Sequence, residues 1–161
     1  IALSFFLILV ILAIPLYIYT HPEDVNAYTL SIKGNVDNPQ EIELSQLQRY
    51  PTLTMQITLS SSSKPSENGV FNYTGVALKS LLERVNVSSN ASSVYFQALD
   101  GYGTTIPIQD AMDSNTILAY EKDGVLLDDL KNGGEGPLRL IIGSDVYAQR
   151  WIRGVAIVEV Q

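Results

Sequence analysis

The feature that most constrains this chain is an uncharged apolar run at its beginning. Residues 1–19 carry no charged side chain, and Ser4 is their only polar residue besides two tyrosines. As an α-helix rising about 1.5 Å per residue, the run would span roughly 30 Å, the thickness of a bilayer's hydrocarbon core. A cleaved signal peptide is the alternative, but its apolar region is ordinarily shorter. We therefore predict a transmembrane anchor over residues 1–20.

The sequence after this run favours a domain outside the cytoplasm. Residues 21–26 read as a short polar spacer, and its acidic residues Glu23 and Asp24 favour translocation of the domain behind them. Possible glycosylation sequons begin at Asn72, Asn86 and Asn90. The expected arrangement is a single-pass protein of the cell membrane, with one extracytoplasmic domain over residues 27–161.

Charge and composition exclude several functions. The net charge is -7, and the ten lysines and arginines are scattered, so a nucleic-acid partner is not expected. The sequence has no cysteine, which excludes thiolate metal sites and cysteine nucleophiles within it. Its one histidine, His21, adjoins the apolar run, so the domain has no histidine for a catalytic triad or a zinc site.

The soluble part shows mostly the period-two alternation of β-strands. Gly75 is predicted to open a helix whose apolar stripe begins at Val76 and includes Leu78, and a brief helix is expected around Leu44 and Leu47. Strands are predicted over residues 28–32, 53–59, 70–73, 94–99, 116–120, 138–142 and 155–160. Many short strands with few helices and no βαβ alternation indicate an α+β or mainly β domain.

A series of short motifs gives the chain a family resemblance. In chain order they lie at residues 75–82, 99–102, 117–127, 136–142, 150–152 and 157–160, and residues 28–36 and 44–51 add an opening strand and turn. Over residues 27–161 the chain resembles the molybdopterin-binding domain of the sulfite oxidase family. The resemblance implies an α+β sulfite oxidase-like fold with a mixed β-sheet core, short helices, a cofactor cleft and oxidoreductase activity.

The departures from this resemblance concern the metal. In active members the strand resembling residues 55–60 delivers a cysteine whose thiolate binds molybdenum, whereas this chain has Ser60, Ser61 and Ser62 there. A serine hydroxyl is a much harder ligand with a higher pKa. The histidine and arginine with which active members hold the pterin phosphate also have no clear counterparts. We therefore expect no molybdenum cofactor, with molybdopterin as the alternative.

Six residues are the candidates for lining a residual cleft. Each of the six also has a structural interpretation. Asp100 and Tyr102 belong to a glycine-rich turn, Arg139 can pair with a carboxylate, and Ser60 and Ser61 can be simple loop residues. The sixth, Arg150, forms a basic–aromatic cluster with Trp151 and Arg153, which equally fits a packed tryptophan beside solvated charges. No catalytic residue is predicted, because the serine run at 60–63 has no histidine to activate a nucleophile. No metal-binding residue is predicted either, because the acids Asp128, Asp129 and Glu135 match no calcium loop.

Three functions fit these residues. The first is a membrane-anchored ligand-binding or interaction module, for a small ligand or a protein partner, that has lost molybdenum chemistry. The second is a molybdopterin-dependent oxidoreductase in which Ser60 or Ser61 replaces the cysteine. The third is a structural component of the cell envelope, suggested by the anchor and the sequons. Enzymatic activity is thus left open, with a non-catalytic role preferred.

Overall fold

Two β-sheets make up the described part of the chain, residues 28–161 of a computed structural model. The first sheet has five strands in the order β2-β1-β10-β5-β6. These are β1 (Thr29–Gly34), β2 (Gln40–Glu43), β5 (Ser93–Ala98), β6 (Gly103–Pro107) and β10 (Val155–Val160). β1 and β10 run parallel and every other neighbouring pair is antiparallel, which confirms the predicted mixed sheet.

The parallel pairing of β1 with β10 ends at a glycine. Gly34 adopts a φ of +93°, and a Cβ atom there would lie 2.2 Å from the carbonyl oxygen of Val160. Only glycine tolerates both the positive φ and this close approach. The residue therefore fixes where the first strand can leave the sheet.

The second sheet contains the remaining five strands. β3, β4, β7 and β8 lie side by side, and β9 pairs with β7. Their bounds are β3 (Thr52–Leu59), β4 (Gly69–Ala77), β7 (Thr116–Lys122), β8 (Val125–Leu126) and β9 (Arg139–Ile142). Every strand pair in this sheet is antiparallel.

Helices are few and short in residues 28–161. They are α1 (Leu44–Leu47), α2 (Leu78–Arg84) and α3 (Ile108–Ala111), with 3-10 turns at Pro65–Glu67, Leu130–Asn132 and Ala148–Arg150. Buried side chains from both sheets and all three α-helices form one hydrophobic core. The α+β architecture predicted from the sequence is thus confirmed for residues 28–161.

The predicted helix start at Gly75 is wrong. β4 continues through Gly75 to Ala77, and α2 begins only at Leu78. A Cβ atom on Gly75 would lie 2.1 Å from the carbonyl oxygen of Leu118 on β7, so this glycine permits close strand packing. Val76 is buried as expected, but as a strand residue.

Strand β3 is less buried than its alternation suggests. Ile57 and Leu59 are buried, whereas Leu53 is exposed and Met55 only half-buried. β3 lies at the edge of the second sheet, and its end nearest Leu59 packs into the core. That end carries the serine-rich loop that leads to the candidate site.

The predicted membrane anchor, residues 1–20, and the spacer, residues 21–26, lie outside the described residues. Within residues 28–161, no helix is long and apolar enough to cross a bilayer.

Candidate binding cleft

A cleft of about 420 Å³ opens where the end of β3, the turn after β5 and the segment at 148–153 meet. This volume lies within the range of small-molecule sites. The walls combine apolar and polar groups: Leu59, Ala98, Tyr102, Leu130, Ala148, Trp151 and Ile152, then Ser61, Ser63, Lys64, Glu67, Asp100, Gly133, Gly134, Arg139, Gln149 and Arg153.

The serine-rich loop is fixed to the opposite wall by its backbone. The carbonyl oxygen of Ser60 accepts a hydrogen bond from the amide of Ala148 at 2.9 Å. Ser61 lines the cleft, and its Oγ accepts a hydrogen bond from the amide of Lys64 at 3.1 Å. Ser60, a predicted cleft residue, does not line the cleft, and its carbonyl fixes the loop instead, whereas Ser61 contributes a hydroxyl to the cleft.

The turn after β5 places Asp100 and Tyr102 at the cleft. Asp100 Oδ1 accepts a hydrogen bond from the amide of Tyr102 at 3.0 Å, and Gly101 between them has a φ of +87°. This is the turn chemistry expected of Asp100 in its structural interpretation. Tyr102 is 61% exposed, so its ring can contact a molecule that enters the cleft.

Arg139, at the start of β9, is the most buried charged residue in the described chain, at 2% exposure. Its Nη1 donates to Glu135 Oε2 at 2.5 Å and to the hydroxyl of Tyr73 at 2.9 Å. Lys122 Nζ donates to the other oxygen of Glu135 at 3.2 Å. The predicted pairing of Arg139 with a carboxylate therefore holds.

Charge and burial keep Glu135 ionised and the Tyr73 phenol protonated within this hydrogen-bond network. Burial alone would raise the pKa of Glu135, but the charge and hydrogen bond of Arg139, aided by Lys122, hold it below its usual value. Burial raises the pKa of Tyr73, so its phenol stays protonated and donates to Glu135 at 3.1 Å. At neutral pH Glu135 is therefore a carboxylate.

Two buried donors in the cleft wall lack a partner among residues 28–161. They are Nε of Arg139 and Nε1 of Trp151. The guanidinium carbon of Arg139 lies 5.9 Å from the centre of the Trp151 ring, so the two donors belong to adjacent side chains. An unpaired buried donor costs about 1–3 kcal/mol, so a bound water or another acceptor at either group would stabilise the domain.

The other cations of the cleft are paired across its mouth. Glu67, in the 3-10 turn after β3, accepts a hydrogen bond from Nη2 of Arg153, and Lys64 Nζ lies 3.3 Å from it. The Arg153 hydrogen bond lowers the pKa of Glu67 despite an opposing effect of burial, and Lys64 lowers it further.

Arg150, a predicted cleft residue, does not line the cleft. Its Nη1 donates to Asp110 Oδ2 at 2.6 Å, and Nε and Nη2 donate to Asp145. These hydrogen bonds raise the pKa of the guanidinium. The predicted cluster of Arg150, Trp151 and Arg153 is therefore divided, because Trp151 and Arg153 line the cleft.

The structure thus brings Ser61, Asp100, Tyr102 and Arg139 together around one cleft. Sequence reasoning missed Glu67 and Gln149, and it considered Glu135 only as a calcium ligand. Within residues 28–161 no group of three or more His, Asp or Glu side chains is arranged to hold a metal ion. Glu135 contacts Arg139 and Lys122 instead, which explains why the acids at 128, 129 and 135 form no such group.

Comparison with known proteins identifies the family. The oxidoreductase molybdopterin binding domain matches the chain over residues 18–161. The chain belongs to this family.

This molybdopterin-binding domain is similar to one relative in sequence and to one protein of known structure. The uncharacterized oxidoreductase YuiH of Bacillus subtilis (strain 168) is 24% identical over 136 residues, which cover 83% of this chain and 66% of YuiH. The crystal structure of the sulfane dehydrogenase SoxCD from Paracoccus pantotrophus superposes with a TM-score of 0.73 at 21% identity, covering 84% of this chain and 38% of that one. The chain therefore spans about two thirds or less of these proteins and shares the fold of the second.

The side chains of this family member do not fit the metal-bearing form of molybdopterin. Its sequence contains no cysteine, so the thiolate implied by the family resemblance has no source here. Lys64, Arg139 and Arg153 line the cleft, but each already pairs with a glutamate. Arg139 Nε and Trp151 Nε1 are the buried donors of the cleft wall that are left without a partner in the described chain.

Proposed function

We propose that this domain binds a small organic ligand in the cleft and carries out no molybdenum redox chemistry. The observation that carries the proposal is the pair of unpartnered donors, Arg139 Nε and Trp151 Nε1, in the wall of the cleft. Both donors are buried, and a bound molecule that reached either one would remove the cost of that unpaired group. The proposal is therefore a binding module built on an oxidoreductase fold.

The composition of the walls indicates the chemistry of such a ligand. Leu59, Leu130 and Ile152 provide apolar contact, and the exposed ring of Tyr102 offers stacking at the side of the cleft. The Asp100 carboxylate offers a hydrogen-bond acceptor to the ligand. The unpartnered donors Arg139 Nε and Trp151 Nε1 favour a ligand that carries an acceptor atom of its own. A planar heterocycle with hydrogen-bonding edges meets all of these conditions.

The absence of a soft ligand supports the non-catalytic part of the proposal. The Ser61 hydroxyl, two residues after the end of β3, lines the cleft and already accepts a hydrogen bond from the amide of Lys64. A neutral hydroxyl with a high pKa is a poor substitute for a thiolate at a molybdenum centre.

Purified protein provides the test. Elemental analysis is expected to find no stoichiometric molybdenum, and denatured protein should release no phosphorylated pterin fluorescence. Native mass spectrometry is expected to reveal a co-purifying organic molecule that is lost in Trp151→Phe. Tyr50→Phe is the control, since Tyr50 does not line this cleft. Stoichiometric molybdenum would overturn the proposal.

Family membership also supports a second candidate, a molybdopterin-dependent oxidoreductase with an oxygen ligand. The position of the Ser61 hydroxyl in the cleft is the specific observation in its favour. Replacing Ser60 and Ser61 together by alanine should then abolish cofactor retention. Cofactor retained at the wild-type level in that variant would reject this candidate.

We also propose that residues 1–20 hold the domain at the outer side of a cell membrane. This proposal rests on the uncharged apolar run and the acidic flank of the sequence. Fractionation of expressing cells, followed by protease treatment of intact cells, tests it. Recovery in the membrane fraction with a protease-sensitive domain is expected, whereas recovery in a soluble fraction, or a membrane-bound domain that stays protected from protease, would contradict it.

A further inference from the structure

We propose that Glu67 and Glu135 set the charge selectivity of the cleft, so that it accepts an uncharged ligand and rejects phosphorylated ones. The inference rests on the proposed function, because it names the class of ligand that the same cleft takes. It arises from how every cation of the cleft wall is already engaged.

The carboxylate of Glu135 is an anion of the protein itself that is already bound to Arg139. Its Oε2 lies 2.5 Å from Arg139 Nη1, and its Oε1 lies 3.2 Å from Lys122 Nζ. The side chain of Glu135 is only 15% exposed, so water screens this charge weakly. An incoming phosphate at Arg139 would therefore meet a fixed carboxylate bound to the same guanidinium.

Glu67 has the same relation to the other two cations. It accepts a hydrogen bond from Arg153, and Lys64 Nζ lies 3.3 Å from its Oε1. Both cations line the cleft, and Glu67 lines it with them. One carboxylate thus satisfies two positive charges at the mouth.

Glu67 and Asp100 line the cleft, whereas Glu135 acts through its contact with Arg139. The carboxylate of Asp100 lies within 4 Å of no cation in the described chain. A phosphate needs unopposed positive charge or several free donors. The donors left over are Arg139 Nε and the uncharged Trp151 Nε1. This remainder suits a carbonyl or ring-nitrogen acceptor on an uncharged molecule.

The two glutamates can be tested with inorganic phosphate as the probe. Glu67→Gln and Glu135→Gln keep the shape and an acceptor oxygen while removing one negative charge each. Isothermal titration of the wild-type protein is expected to give no saturable phosphate binding in the millimolar range. Each variant should bind phosphate at least about tenfold more tightly, because the substitution releases a cation of the cleft wall from its paired carboxylate.

Glu83→Gln is the matched control. Glu83 pairs with Lys79 on the exposed side of α2, lines no part of the cleft, and should leave phosphate binding unchanged. If Glu135→Gln fails to fold, Glu67→Gln carries the test, since Glu67 sits in a surface turn without buried residues.

Phosphate binding by the wild-type protein as tight as by the variants would overturn the inference, and so would folded variants that gain no affinity. Either result leaves the proposed ligand-binding function standing, because that depends on the co-purifying molecule and on Trp151. Conversely, finding no co-purifying molecule, or finding one that Trp151→Phe retains, would remove the proposed function without altering the phosphate titrations. Bound molybdopterin, which carries a phosphate, would overturn both.

Discussion

Arg139 and Glu135 lie four residues apart, and Nη1 of the arginine reaches Oε2 of the glutamate at 2.5 Å. They are not on a helix. Glu135 belongs to the glycine-rich turn before β9, and Arg139 is the first residue of that strand. This ion pair therefore ties the turn to the second sheet and at the same time pairs the charge of an arginine that lines the cleft.

Removing Arg139 alone should destabilise the domain strongly. Arg139→Met leaves Glu135 and the Tyr73 hydroxyl without their buried cation, and breaking such a pair costs about 3–5 kcal/mol. Urea unfolding followed by circular dichroism measures the loss. Combining Arg139→Met with Glu135→Gln should recover part of it, and a double variant no more stable than the single one would show that the two residues are not coupled.

The single tryptophan provides a prediction about the free donor. Trp151→Phe keeps most of the apolar packing but removes Nε1, which has no partner among the described residues. Because the substitution also removes an unpaired buried donor, the free energy of unfolding should change by less than about 1 kcal/mol. Retention of the co-purifying ligand should fall nonetheless, and a variant that keeps the ligand at the wild-type level would place that ligand elsewhere.

Gly75 should tolerate no side chain. In Gly75→Ala the added Cβ meets the Leu118 carbonyl oxygen on the adjacent strand, so β4 and β7 must separate. We expect a loss of about 3 kcal/mol or more, as for overpacked core positions. Gly101→Ala is the comparison, since that glycine has a positive φ but nothing within 4 Å. Equal losses in the two variants would argue against a steric origin.

Acid should weaken the domain through its paired glutamates. The folded-state pKa values of Glu67 and Glu135 are lowered, so their contribution is complete above the ordinary glutamate pKa of about 4.5 and disappears as the pH falls through the lowered values. Chemical unfolding measured between neutral pH and pH 3 should show this decline. Glu135→Gln should flatten it, and an unchanged slope would mean that other carboxylates dominate.

Strand β10 illustrates how much of the fold the sequence predicts. Its observed bounds, Val155–Val160, match the alternation after Gly154, and the brief helix at Leu44–Leu47 ends before Pro51 as expected. These elements follow from local periodicity and stop signals. The role of Gly75 is mispredicted because the local sequence, a glycine followed by apolar residues, is compatible both with the end of a strand and with the start of a helix.

The site is less predictable because its contacts are distant in sequence. Glu67 and Arg153 are 86 positions apart, and Arg150 binds Asp110 from 40 positions away, so no local pattern announces either pair. Asp100, Tyr102 and Arg139 are predicted cleft residues, and they do line one cleft. Which donors remain free there depends on packing, which only the three-dimensional arrangement reveals.

The central position of β10 between β1 and β5 bears on how the protein is made. A ribosome delivers β1 and β2 first, yet the middle of their sheet arrives only with residues 155–160, more than a hundred residues later. Until then the edges of β1 and β5 that pair with β10 have no hydrogen-bonding partner, and exposed strand edges of this kind promote aggregation. Biosynthesis of this domain therefore includes a long interval in which a chaperone would be of most use.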